Sequence, residues 1–301
     1  MIRVIALTLV WLGLSGAVAL AEGDAKLVIR GLEPNGFAIH RAGEKTPLIV
    51  QNAAPDFRPH IHPIMSPDGS GVLTLRPEKN YAHHCGLWFG LNNVNKKNDF
   101  FYKNDSFHPL PMKPPVVDAN RVKWVVEADW QATKGKPVLR ETQEWSFADY
   151  GTEYVLDLTW RAKAHEDVTF GRADYGGLFV KLVDGGTFRS GDKPETTKGA
   201  ELESTRARWM ALENKSKSRD SKPAVVAIMD HDKNPDHPTP WRVAGDHFGT
   251  SRCKQFEASL KAGGTTRAKY RIVVSSGKFD VDKIEARWKE FVATGANPKG
   301  K

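Results

Sequence analysis

Between residues 121 and 161 apolar and polar side chains alternate with few breaks, and a period of two commits this part of the chain to sheet. In RVKWVVEADWQA, Val122, Trp124, Val126, Ala128 and Trp130 share one side, while Lys123, Glu127 and Asp129 take the other. Successive side chains of a strand point to opposite faces, so the pattern specifies a strand that is buried on one face and wet on the other. LRETQEWSF follows, and then EYVLDLTWR, where Tyr154, Leu156, Leu158 and Trp160 alternate with Glu153, Asp157 and Arg161. The connections KGKP and ADYGT are turn chemistry, which makes the three runs an antiparallel meander.

Further strands are expected at KLVIR, FAIHR, PLIVQ, GVLTLR, CGLWFGL, GGLFVKLV, AVVAIMD and RAKYRIVVSS. Helical spacing is convincing only near the end: DVDKIEARWKEFVA puts Ile284, Arg287, Trp288, Phe291 and Val292 on one face, with Asp280 or Asp282 as N-cap. The expectation is an all-β protein, a large antiparallel β-sandwich with one C-terminal helix. No repeat or low-complexity linker divides it, so residues 22–301 are expected to form a single domain.

The first 21 residues read differently. Arg3, an apolar run from Val4 to Leu14 and small residues at Ala19 and Ala21 have the layout of a secretory signal peptide cut after Ala21. No later segment is long and apolar enough to cross a bilayer, so the expectation is a periplasmic or secreted protein without stable membrane insertion. The formal charge of +8 comes largely from scattered lysines, densest in LENKSKSRDSKP, which suits a solvated loop. Without a basic-aromatic motif nucleic acid is excluded as the expected partner, and acidic or phosphorylated glycans stay open. The two cysteines, Cys85 and Cys253, are too few for a disulfide framework, although export would permit a bridge. Cys85 beside His84 has the residue types of a nucleophile and base, yet neighbours on a strand diverge, and burial as a small hydrophobe is the stronger expectation.

Polar residues that interrupt the strand pattern gather in three places. In FRPHIHPIMSPDG, His60 and His62 are two apart and project to one side of an extended segment, the geometry of a shared ligand or metal. Pro59 and Pro63 remove amide donors and suit the rim of a cleft. The second place is YAHHCGLWFGLNNVNKKNDFFYKN. His83 and His84 adjoin a strand-like run, from which we expect one to serve a site and the other to pack. Asn92, Asn93 and Asn95 beside Phe100, Phe101 and Tyr102 offer the mixture of hydrogen-bonding groups and flat apolar faces that a sugar ring needs. The third place, IMDHDKNPDHPTPWRVAGDHFG, carries three Asp–His pairs among turn residues after a strand, with Trp241 as an aromatic platform.

The segments RPHIHPIMSPDG, HHCGLWFGLNNVN and DHDKNPDHPTPWRV resemble, in this order, the PmoA-like family of exported bacterial proteins. The resemblance is specific at His83, His84, Gly86, Leu87, Trp88, Val94 and Asn95, and again at Asp230, His231, Asn234, Pro235, His237, Pro238, Thr239 and Trp241. Asn80, Tyr81, Ala82 and Cys85 depart from it, standing where Asp, His, Pro and Arg are usual. The family's label refers to a methane oxygenase, a multi-helix membrane protein, which a β-rich chain without a later spanning segment does not match. The family is closer to sandwich enzymes of the galactose-mutarotase type, where histidines and a carboxylate on a sheet move protons on a sugar. The resemblance therefore implies an exported carbohydrate-active enzyme (glycoside-cleaving, lyase or epimerase) acting on a small-molecule or glycan substrate. Its implied catalytic residues are His83, His84, Asp230, His231 and His237, with Asn95, Trp88, Trp241 and Asn234 binding substrate. Two other classes compete: a metal-dependent enzyme that holds a divalent ion on His60, His62 and His84 together with the 230–247 loop, and a noncatalytic glycan-binding sandwich. If residues 83–84 and 230–237 sit at strand ends on one rim, they share a cleft.

Overall fold

A computed structural model describes residues 27–77, 80–191, 193–196 and 198–294. The expected signal peptide at residues 1–21 lies outside them. Two antiparallel sheets pack face to face, as the alternation requires. One has eight strands, in the spatial order Leu27–Leu32, Gly36–Arg41, Ile49–Asn52, His60–Ile64, Leu87–Leu91, Gly176–Lys181, His247–Thr250 and Trp241–Ala244. The other has ten. Its centre is the meander Arg121–Thr133, Lys136–Asp149 and Glu153–Ala164, continued through Thr265–Ser276, Pro223–Asp230, Trp209–Lys215 and Gly186–Ser190. Val168–Phe170 and Ala258–Leu260 form a separate pair.

Arg121–Thr133 buries Val122, Trp124, Val126, Ala128 and Trp130 and exposes Lys123 and Glu127, so the period of two reads out directly as inside and outside. Phe89 reaches across from the eight-stranded sheet and stacks on Trp160 of the ten-stranded one, centroids 4.3 Å apart. Strand Pro223–Asp230 has no polar alternation because both its faces are covered. Val226 and Ile228 enter the core between the sheets, while Val225, Ala227 and Met229 lie under the helix Val281–Ala293. That helix docks through Ile284 and Phe291, and Asp280 caps it by accepting hydrogen bonds from the amides of Asp282 and Lys283. Among the described residues no helix is long and apolar enough to cross a membrane.

Two local expectations are corrected. GVLTLR makes only the isolated bridges of Val72 with Met65 and Thr74 with Leu182, because the strand that starts at Leu87 takes the central place in the sheet. The late segment holds two short strands, Trp241–Ala244 and His247–Thr250, hairpinned through Gly245 and Asp246. The hairpin carries the third Asp–His pair into the eight-stranded sheet. Cys85 and Cys253 are both buried and both free, one on the outer face of that sheet and the other in the core.

Candidate functional site

The outer face of the eight-stranded sheet, turned away from the core, carries the chemistry. Strand register lays its outward side chains in rows. His60 pairs with Trp88, Trp88 with Phe179, Phe179 with Gly249, and Gly249 with Arg242. In the next row Lys181 pairs with His247. Trp88, Phe179, Phe101 and Cys85 make a small apolar cluster that underlies a cleft of about 390 Å³, with Phe179 as its floor. Gly249 is required there: a Cβ would stand 2.4 Å from a Phe179 ring carbon and 2.4 Å from the Leu178 carbonyl oxygen.

Tyr81, Phe101, Tyr102 and Tyr175 wall the cleft, and His83, His84, Lys181, Arg242, Asp246 and His247 supply its polar groups. His84 is held between Tyr81 (centroids 5.5 Å, planes 10° apart) and Trp88 (5.4 Å, 30°). Its ring faces His247 at 4.7 Å and touches His83 at 4.2 Å. The His84 Nδ1 is buried with no partner among the described residues, which leaves Nε2 as the nitrogen open to the cleft. Asp246 ties the opposite wall together. One oxygen accepts from Lys181 Nζ at 2.5 Å, and the other lies 3.2 Å from His247 Nδ1. Arg242 lies over Tyr175 at 5.2 Å and pairs with Glu203 at 3.2 Å.

Burial sets the protonation states. It pushes His84 down to about 3, helped by the neighbouring His247, His83 and Lys181, and pushes His83 down to about 4, helped by Arg58. Both imidazoles are therefore neutral near neutral pH, each with one unprotonated ring nitrogen. Burial alone would raise Asp246, but hydrogen bonds from His247 and Lys181 outweigh it and hold the carboxyl at about 2. Burial raises Tyr102 to about 12.

Both histidines reach the cleft, where one was expected to pack. They precede the strand, in a turn closed by the His84 amide donating to the Tyr81 carbonyl (2.8 Å), so the alternation of a strand does not apply to them. Tyr81 sits in the left-handed region at φ 62°, a strained conformation for a bulky residue and one that concentrates at functional sites. Trp88 is buried beneath His84 and supports it from below.

The first part of the late loop does not reach this cleft. Asp230 is fully buried and accepts from His237 Nδ1 (2.8 Å), the Thr239 amide (3.0 Å) and Asn234 Nδ2 (2.7 Å). Asn234 also pairs with the backbone of Lys269 in both directions. His231 packs edge-on against Phe291 of the helix, 4.8 Å away, and Trp241 points into the core with Nε1 donating to the Ala207 carbonyl. Asn95 ties its loop to a distant one, donating to Glu166 and accepting from the Thr169 amide. Asp230, His231, Asn234 and His237 brace the fold around the strand end at Asp230, and the cleft takes its third imidazole from His247, because the hairpin delivers that residue to the sheet face.

The expected metal set does not assemble either. His60 Nδ1 bonds the Arg58 carbonyl (2.9 Å), and His62 Nδ1 bonds Thr74 Oγ1 (3.0 Å). Among the described residues no three His, Cys, Asp or Glu side chains are placed to hold an ion. His60 and His62 lie on different strand positions from the turn that carries His84, and the direction of each ring is fixed by these local bonds.

Lys181, Arg242 and Tyr175 were not singled out from the sequence. The outward alternation of Phe179 and Lys181 within GGLFVKLV is the one signal that could have found Lys181.

In structure the chain is similar to a galactose mutarotase-like protein from Clostridium acetobutylicum, with a TM-score of 0.43 at 9% identity, covering 83% of this chain and 99% of that one. It is similar also to galactose 1-epimerase from Lactobacillus acidophilus NCFM, with a TM-score of 0.40 at 8% identity over 84% of this chain and 100% of that one. A third is a heparan sulfate lyase HepC mutant from Pedobacter heparinus, with a TM-score of 0.39 at 9% identity; it aligns over 86% of this chain, which spans only 36% of the lyase. No curated protein matches the chain. The resemblance to the PmoA-like family rests on the quoted motifs and on none of these comparisons. Residues 46–289 match a family of unknown function, DUF6807, and the chain belongs to it.

Proposed function

We propose that this protein is a carbohydrate-active enzyme that moves protons on a sugar bound in the cleft on the outer face of its eight-stranded sheet. The observation that carries the reading is the facing pair His84 and His247, 4.7 Å apart, between aromatic walls and beside an ionised Asp246. Aromatic faces take the C–H faces of a pyranose, and imidazole, ammonium and guanidinium groups take its hydroxyl edges. His84 Nε2 accepts a proton from a sugar hydroxyl or an activated C–H, and a protonated group on the opposite wall, where Lys181 and His247 stand, returns one to the ring or leaving oxygen. Asp246 is the only carboxylate lining this cleft among the described residues, where glycoside cleavage ordinarily uses two. Base-catalysed ring opening, epimerisation or elimination therefore fits better than hydrolysis.

The first 21 residues support action in the periplasm or outside the cell. The test is turnover: anomeric exchange of galactose and glucose followed by NMR, and release of unsaturated products from uronate polymers, each with the intact protein and with His84→Ala. Turnover lost in the variant with the fold retained supports the reading. Saturable sugar binding without turnover in either assay replaces it with the noncatalytic glycan-binding one.

A further inference from the structure

A second cavity of about 540 Å³ opens on the same sheet face, lined by Phe57, His62, Arg76, Pro77 and Ala82. Nothing in the proton-transfer reading uses it. The turn that carries Tyr81, His83 and His84 into the first cleft contributes Ala82 to this one, so a single turn forms the wall between them. Beneath the turn Gly86 is buried and lets the strand carrying His62 pack tightly against it: a Cβ there would stand 2.7 Å from the Cβ of His62 and 2.4 Å from the Ile61 carbonyl oxygen. The Gly86 carbonyl accepts from the Lys181 amide at 2.7 Å, and Lys181 pairs with His247. His62, Gly86, Lys181 and His247 thus succeed one another across the face. At about 4.8 Å per strand the three steps span roughly 14 Å, the scale of a short oligosaccharide and not of one ring.

The chemistry of the second cavity is specific. Arg76 is exposed and lies over the Phe57 ring at 4.7 Å, which makes a cationic plate with an apolar backing. His62 Nδ1 is occupied by Thr74, so the ring offers its other nitrogen to the cavity. The cations that line the two cavities are Arg76, Lys181 and Arg242, of which Lys181 pairs with Asp246 and Arg242 with Glu203.

We infer that the two cavities are adjoining subsites of one groove, and that the Phe57–His62–Arg76 cavity binds an anionic sugar unit, bearing a carboxylate or a sulfate, of a glycan whose neighbouring unit occupies the His84–His247 cleft. The inference rests on the sugar-binding reading of that cleft and names its substrate class. Arg76 meets the anionic group with charge-assisted hydrogen bonds, and Phe57 supports the ring.

The test is calorimetric binding to the intact protein of galacturonate oligomers of one to four units, neutral galactose oligomers of the same lengths and sulfated galactose oligomers, repeated with Arg76→Gln and Phe57→Ala. Affinity is expected to rise from one unit to three in an anionic series only, and Arg76→Gln is expected to weaken the anionic trimer about tenfold while leaving the neutral galactose monomer unchanged. Preference for the uronate or for the sulfated set identifies the anionic group. Absence of chain-length dependence, equal loss for the neutral monomer and the anionic trimer, no effect of Arg76→Gln, or binding to none of the three sets overturns the inference. The reading of the first cleft is separately visible, because loss of turnover in His84→Ala does not depend on Arg76.

Discussion

His84 and His247 come from opposite halves of the chain, and their rings face each other at 4.7 Å across the cleft. The first is clamped between Tyr81 and Trp88, and the second is held by Asp246. Neither bond network reaches into the core, so both rings can be altered without opening the sandwich. His84→Ala and His247→Ala are each expected to lower turnover by about 100-fold or more while circular dichroism and the unfolding midpoint stay near those of the parent. Activity equal to the parent's in both variants would remove the pair from the chemistry.

Asp230 gives the opposite result. It is fully buried and satisfies donors from Asn234, His237 and Thr239, so Asp230→Ala strands them. The expected loss is about 3 kcal/mol or more in urea unfolding, with sugar binding in the cleft unchanged at temperatures where the variant is folded. A stable variant that has lost only activity would return Asp230 to the catalytic group.

Stability should fall on mild acidification. Burial holds His60 and His84 at about 3 and His62 and His83 at about 4, all below the value of about 6.5 they take in the unfolded chain. Between those limits the unfolded state binds more protons, so stability is full above about 6.5 and is lost as the pH falls towards 4. Asp246, held at about 2, adds a further loss below about 4, where the unfolded chain takes up its proton first. Melting temperature against pH measures this directly. A flat profile from neutrality down to about 4 would mean that these rings are not buried as neutral groups. In the same window the acid limb of activity should show no inflection near 6.5, since the base His84 remains unprotonated.

The floor of the cleft depends on a glycine. A Cβ at residue 249 meets the Phe179 ring and the Leu178 carbonyl, both at 2.4 Å, so Gly249→Ala must push the ring or the strand aside. The expected cost is about 1–3 kcal/mol in chemical unfolding, together with weakened sugar binding as Phe179 moves. Unchanged binding and stability would show that the floor yields freely.

Both thiols should be silent in the native protein. Burial raises Cys85 and Cys253 to about 11, far from the range of a reactive thiolate. Titration with a thiol reagent is expected to find neither in the folded state and both in denaturant. A denatured protein with no free thiol would mean a bridge.

Much of the fold is legible in the sequence because it is local. The meander at 121–164 follows from side chains that alternate in and out, and the helix Val281–Ala293 follows from a period of 3.6 and an Asp cap. His83 and His84 are also legible as a departure from the strand pattern. Their orientation is not legible, because they precede the strand, and a turn does not obey the alternation of a strand. Asp230–His231, Asp236–His237 and Asp246–His247 are the same two letters in one loop-rich segment. Only tertiary structure separates them. Asp230 closes a buried network at a strand end and the helix covers His231, whereas the hairpin of Trp241–Ala244 with His247–Thr250 joins the sheet beside Gly176–Lys181. Lys181, Arg242 and His247 become neighbours of His84 through pairing between strands distant in the chain. Periodicity along one strand fixes which face a side chain takes and carries no information about which strand lies beside it, so the sequence determined the sandwich and its terminal helix, and the order of the strands decided the cleft.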